Sequence, residues 1–277
     1  MIGNPAVMKL SDSNQNTNGS IETISFDLDV LGEPMHFSIS VTQKQAKLSD
    51  ITPLARTLST KIAIVFLDIL RHNGQFIPCR KGCSTCCSYM IPLSVPEAFR
   101  LREDVLAMPP DQSRVTLQLC LDRAKIILDK KPIELDITEW TEASNKSQLS
   151  KLGKWYEQLN ITCPFLSNGL CTIYEQRPLA CREYIVRGSA LLCRAEWTDG
   201  SHKIDMPVST LECLGQLAAE LEHTDSIESV ILPLALPWAQ ENYERGNQTW
   251  PAIFMVERFI EIVKATALKN SAISTCP

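Results

Sequence analysis

The chain has 277 residues, 44% hydrophobic and 21% charged, with a formal net charge of −5. That balance suits one or two globular domains and excludes a wholly disordered or collagen-like chain. A mildly acidic chain offers no general attraction for nucleic acid or an anionic membrane, so neither is expected as a partner. Residues 1–20, rich in Asn, Ser and Gly, are expected to form a flexible tail. They contain no basic stretch followed by an apolar core, so no secretory signal is read there.

Residues 21–42 alternate apolar and polar on both sides of Gly32-Glu33-Pro34, which predicts a β-hairpin. Asp50 caps a predicted helix running to about His72, with Leu54, Leu58, Ile62, Val65, Phe66, Ile69 and Leu70 on its apolar face. Asn73-Gly74 ends it. Ser94-Val95-Pro96-Glu97 reads as a capping box opening a helix to about Leu106. Pro109-Pro110-Asp111 restarts the chain into a longer helix ending near Lys131. An irregular stretch, 132–146, then precedes a helix over about 147–159. After Cys193, Asp199-Gly200 predicts a turn between two short strands, followed by helices over about 208–223, 226–245 and 250–269. The longest apolar runs, Ile62–Leu67 and Val230–Ala239, fall short of the ~20 residues a membrane-spanning helix needs. A cytoplasmic location is expected.

Cysteine is the unusual component. Residues 79–87 and 163–181 hold seven of the eleven cysteines. The first group is Cys79-x3-Cys83-x2-Cys86-Cys87, with Gly82 available for a tight turn. The second places Cys163, Cys171 and Cys181 in the string CPFLSNGLCTIYEQRPLAC. Cytoplasmic thiols stay reduced, and clustered ones there bind metal or do chemistry more often than they form disulfides. Neither group contains histidine, and His72 and His202, the nearest, read as surface or helix-end residues. An all-sulfur set favours zinc, iron–sulfur or copper(I). One mononuclear zinc or one [4Fe–4S] cluster needs four thiolates, and seven are on offer. Adjacent side chains diverge on a helix or strand, so Cys86 and Cys87 are expected to point apart. Residues 88–162, about three helices, must fold back for the two groups to meet.

Arg80, Lys81, Arg177, Arg182 and Arg187 surround the cysteines. They either compensate thiolate charge or clamp an anionic substrate. Tyr89, Phe165, Leu166, Ile173, Tyr174 and Tyr184 read as a shield against water. Tyr174, Glu175 and Glu183 are the nearby groups capable of acid–base work, each equally explained as surface or packing.

The strings CRKGCSTCC and CPFLSNGLCTIYEQRPLACREY resemble the cysteine-cluster family named for its CxxCxxCC signature, the YkgJ-type zinc- or iron-chelating proteins. The likeness spans roughly residues 76–190. It implies metal or iron–sulfur ligation by Cys79, Cys83, Cys86, Cys87, Cys163, Cys171 and Cys181. Three residues, not two, separate Cys79 from Cys83, and Ile185 stands where such proteins often have proline. The fold expected is mainly α with a small N-terminal β-hairpin, its helices and loops pinned by a cysteine-ligated metal centre. Four segments are expected: the tail (1–20), a hairpin and helix (21–75), the cysteine-cluster domain (76–190) and a C-terminal helical segment packed on it (191–277). Two functions compete. One is an iron–sulfur or zinc protein engaged in electron transfer or in modifying a protein or peptide. The other is a non-catalytic zinc module that presents a surface to a protein partner.

Overall fold

The structure, a computed structural model, describes residues 6–10, 21–132, 146–195 and 202–274. Residues 133–145 of the irregular stretch predicted over 132–146, the Asp199-Gly200 turn and Cys276 lie outside the described residues. Strands β2 (Glu22–Val30) and β3 (Glu33–Val41) form the predicted antiparallel hairpin, paired from Glu22 with Val41 to Val30 with Glu33. Its turn is Leu31-Gly32, both at positive φ, a two-residue geometry that suits the strand twist. Phe26, Leu28, Val30, Phe37, Ile39 and Val41 are buried, so the alternation seen in the sequence becomes one packed face. Strand β1 (Ala6–Leu10), inside the segment expected as tail, pairs in parallel with Phe37–Val41. The other residues of 1–20 lie outside the described ones.

After β4 (Gln45–Ala46), helix α1 runs over Leu48–His72. It starts before Asp50, which is not the cap residue; its carboxylate instead accepts from the Lys47 N–H at 2.8 Å, on the last residue before the helix. Strand β5 (Pro92–Ser94) precedes α2 (Val95–Leu106), followed by α3 (Pro110–Lys130) and α4 (Lys146–Gln158), all where the sequence placed helices. Next come the small hairpin β6 (Leu166–Ser167) and β7 (Leu170–Cys171), and the short helix α5 (Leu179–Glu183). Strands β8 (Ile185–Val186) and β9 (Lys203–Ile204) pair antiparallel, and α6 covers Thr210–Glu222.

The helix predicted over 226–245 is a correction. Ser229–Ile231 is strand β10, paired antiparallel with β5, and only Ala235–Glu241 (α7) and Tyr243–Gly246 (α8) are α-helical. Pro233 sits in the turn between them, where its fixed φ and missing N–H suit a break. Strand β11 (Trp250–Pro251) pairs with β4, and the last helix, α9, is Ala252–Ser274.

Two apolar clusters organise these elements. One joins the N-terminal sheet to α1, α6 and α9. The other joins α3, α4, β10 and α7 to the two cysteine loops. Helix α2 lies between them, with Val95 and Phe99 in the first cluster and Ala98, Leu101 and Val105 in the second.

Candidate metal centre

The first cysteine loop leaves the end of α1 and turns at Arg80-Lys81-Gly82-Cys83. The Cys83 N–H donates to the Arg80 carbonyl at 3.0 Å, and Gly82 has φ +89°, the type II geometry for which glycine is suited. A single 3-10 turn, Thr85–Ser88, then carries Cys86 and Cys87 into β5. The second loop is anchored by Phe165, 1% exposed, just after Cys163. Asn168-Gly169, both at positive φ, closes the β6–β7 hairpin and pairs Cys171 with Leu166. Both the N–H and the hydroxyl of Thr172 donate to the Phe165 carbonyl, at 2.9 and 3.1 Å. Cys181 sits on α5.

Two buried glutamates hold α5 in place. Glu97, in the predicted capping box of α2, accepts from Ser94 N–H at 3.2 Å and from Leu179 N–H at 2.7 Å, so one carboxylate serves the starts of α2 and α5. Glu183, at the other end of α5, accepts from Thr210 N–H at 2.9 Å, Leu211 N–H at 3.2 Å, Ser209 Oγ at 2.8 Å and the Thr210 hydroxyl. It thereby caps α6. Burial raises both carboxyls, Glu183 to about 7. Glu183 is thus a structural cap, the bland reading of the sequence.

The two loops meet. The Cys163 N–H donates to the Cys87 carbonyl at 2.6 Å. A hydrogen bond with the Cys87 thiol, followed by burial, pushes the Cys86 thiol well above its ordinary range. The adjacent thiols thus act on each other; they sit on a 3-10 turn, which is neither the α-helix nor the strand for which divergence was expected. Cys86 acts electrostatically on Cys79 of its own loop and on Cys163, Cys171 and Cys181 of the other, each of which is raised first by burial, Cys163 to about 12. Cys83 acts on Cys79 and lies 3.8 Å from the Thr85 hydroxyl. Cys79 Sγ lies 3.9 Å from the Tyr184 carbonyl. The electrostatic influence of Cys86 thus reaches thiols of both loops, and that of Cys83 reaches Cys79.

Cys120 of α3 joins the periphery, acting on Cys163 from within the core. It lies outside both cysteine groups in sequence, on the buried face of α3 with Thr116, Ala124 and Ile127, so spacing does not single it out.

Of the five predicted cations, Arg177 is the one that lowers thiols, acting on Cys79, Cys86, Cys171 and Cys181. Its guanidinium lies over the Tyr174 ring at 4.2 Å. Lys81 faces outward to Glu175, and Arg182 donates to the Thr60 hydroxyl of α1. Tyr89, Phe165 and Ile173 are buried around the thiols, with Tyr184 edge-on to Tyr89. His72 is exposed and bonded to the Asp68 carbonyl.

A cavity of about 460 Å³ opens onto Cys86 and Cys181, walled by Tyr89, Met90, Tyr184 and Met206. Among the described residues no three His, Cys, Asp or Glu side chains converge as a metal site, and their cysteines are free thiols. The Cys163–Cys87 backbone bond and apolar packing hold the two loops against each other. The donor set nevertheless fits a soft metal: it is all sulfur, enclosed by aromatic groups and served by one guanidinium.

Residues 78–199 match the CxxCxxCC family, described as a "putative zinc- or iron-chelating domain". Comparison with curated proteins and with solved structures gave no match.

Proposed function

We propose, starting from a CxxCxxCC domain at residues 78–199, that this protein chelates an iron–sulfur cluster or zinc through its two cysteine loops. One observation carries the reading. The two cysteine groups, separated by 75 residues in sequence, meet in the fold, with the Cys163 N–H donating to the Cys87 carbonyl at 2.6 Å. The proposed ligands are Cys86, Cys163, Cys171 and Cys181, with Cys79, Cys83 and Cys87 completing a larger centre.

A bound centre of this kind supplies electron-transfer or Lewis-acid chemistry. Arg177 offsets its thiolate charge, the Tyr89–Tyr184 pair keeps water off one side, and the Cys163–Cys87 backbone bond holds the loops in register. The cavity reaching Cys86 and Cys181 favours a centre open to a substrate or redox partner over a closed zinc module, because structural zinc sites leave no open position. A protein or peptide is the proposed partner and the reducing cytoplasm the proposed location.

The test is iron, zinc and acid-labile sulfide analysis of anaerobically purified protein, with visible absorbance. Iron and sulfide with a reducible visible band support an open redox centre. Stoichiometric zinc without colour supports chelation but turns the function toward the structural module. Metal-free protein that takes up neither metal overturns the reading.

A further inference from the structure

A cleft of about 420 Å³, sharing no lining residue with the cavity at Cys86 and Cys181, lies between α1, α2 and the turn that carries Glu175. Four of its lining residues are basic, Arg56, Lys61, Arg100 and Arg182, against one acid, Glu175. Their existing partners leave positive charge over. Arg56 Nη1 and Arg100 Nε share a single carboxylate, that of Asp104, at 2.8 and 2.7 Å. Glu175 faces a further cation, Lys81, at 3.5 Å. Arg182 donates to neutral oxygens: the Thr60 hydroxyl at 2.7 Å, the Arg177 carbonyl at 3.0 Å and the Glu175 carbonyl.

Arg56 is only 6% exposed, and its Nε has no hydrogen-bond partner among the described residues. A buried guanidinium N–H without an acceptor is a standing cost. Glu97 lies deeper in the fold near Arg56, and its carboxylate is already engaged by the Ser94 and Leu179 N–H groups.

We propose that this cleft binds the dianionic phosphoryl group of a small molecule. The four basic side chains outnumber the one acidic residue that lines the cleft with them, and a phosphoryl group complements that excess of positive charge. Guanidinium forks suit its oxygens in bidentate pairs, and Lys61, exposed at the mouth, adds a point charge. The cleft lies within the size range of small-molecule sites, with room for an organic group beside the phosphate. Arg182 adjoins Cys181 on α5, so an occupied cleft would stiffen the helix that carries one of the proposed metal ligands.

The site stands without the metal reading. Calorimetric titration of the full chain with inorganic phosphate and with glycerol 3-phosphate, at ionic strength held constant with chloride, tests it. Saturable one-to-one binding is expected, weakened at least tenfold by Lys61→Glu and by Arg100→Gln. Tighter glycerol 3-phosphate identifies the esterified source, and equal or tighter inorganic phosphate identifies the free ion. Absence of saturable binding, or Lys61→Glu binding like the unaltered chain, overturns the proposal. Lys61→Glu alters only an exposed side chain, so its result stands even if Arg100→Gln fails to fold.

Discussion

Glu97 and Glu183 show how single residues position the cysteines. Each is buried, and each uses its carboxylate to receive backbone N–H groups at a helix start. Replacing Glu97 by Ala leaves the Ser94 and Leu179 N–H groups without an acceptor inside the fold. The expected cost is on the order of 3 kcal/mol, read from urea unfolding. Glu183 adds a pH dependence. Its carboxyl titrates near 7 in the fold instead of near 4.5, because burial outweighs the hydrogen bonds that favour its charge. The unfolded chain therefore gives up this proton first as pH rises. The stabilising contribution is full below about 4.5 and is lost as pH passes about 7, amounting to roughly 3 kcal/mol. Urea unfolding at pH 4.5 and pH 8 should show that loss in the unaltered chain and not in Glu183→Gln. An equal pH response in both would show that Glu183 does not titrate in this window. The capping box around Glu97 was legible in Ser94-Val95-Pro96-Glu97, but its bond to Leu179 was not, because that contact joins residues 82 positions apart.

Among the elements, those with strong local signals appear where they were read. The hairpin, α1, α2, α3 and α4 are set by alternation, capping and proline punctuation acting within a few residues. The segment 226–245 is different. Its apolar run suits a buried strand as well as a helix, and the pairing of Ser229–Ile231 with Pro92–Ser94 decides in favour of the strand. The β6–β7 hairpin depends on Asn168-Gly169, with Gly169 at φ +76° in open space. Gly169→Ala should cost about 1–2 kcal/mol through backbone strain alone, measured by urea unfolding, since a Cβ there meets no neighbour within 4 Å. The 3-10 turn Thr85–Ser88 carries Cys86 and Cys87, whose thiols act on each other, so Cys86→Ser combined with Cys87→Ser should abolish metal uptake. Cys213→Ser should leave uptake intact, because Cys213 lies in the other apolar cluster and bonds Thr266. Metal analysis of the two variants separates the outcomes; equal uptake would remove this pair from the centre.

At the scale of the molecule, the protein is two apolar clusters sharing α2, with the cysteine loops packed on one of them. Leu101 is fully buried on the side of α2 that faces the cysteine cluster. Leu101→Ala should lower stability by about 2–5 kcal/mol and reduce metal uptake together, seen in parallel melting and metal-binding measurements. Helix α1 shares its cluster with α6 and α9, while β10 and α7 of the C-terminal segment join the cysteine cluster.

The sequence by itself determined the helices with clear caps, the hairpin and the seven cysteines with their all-sulfur chemistry, because these follow from residue type and short-range spacing. Tertiary structure alone decided that the two groups meet, that Cys120 stands beside them, and that Arg177 faces the thiols while Arg182 lines a separate cleft. Those outcomes depend on loop closure and burial across long stretches of chain, which no local pattern encodes.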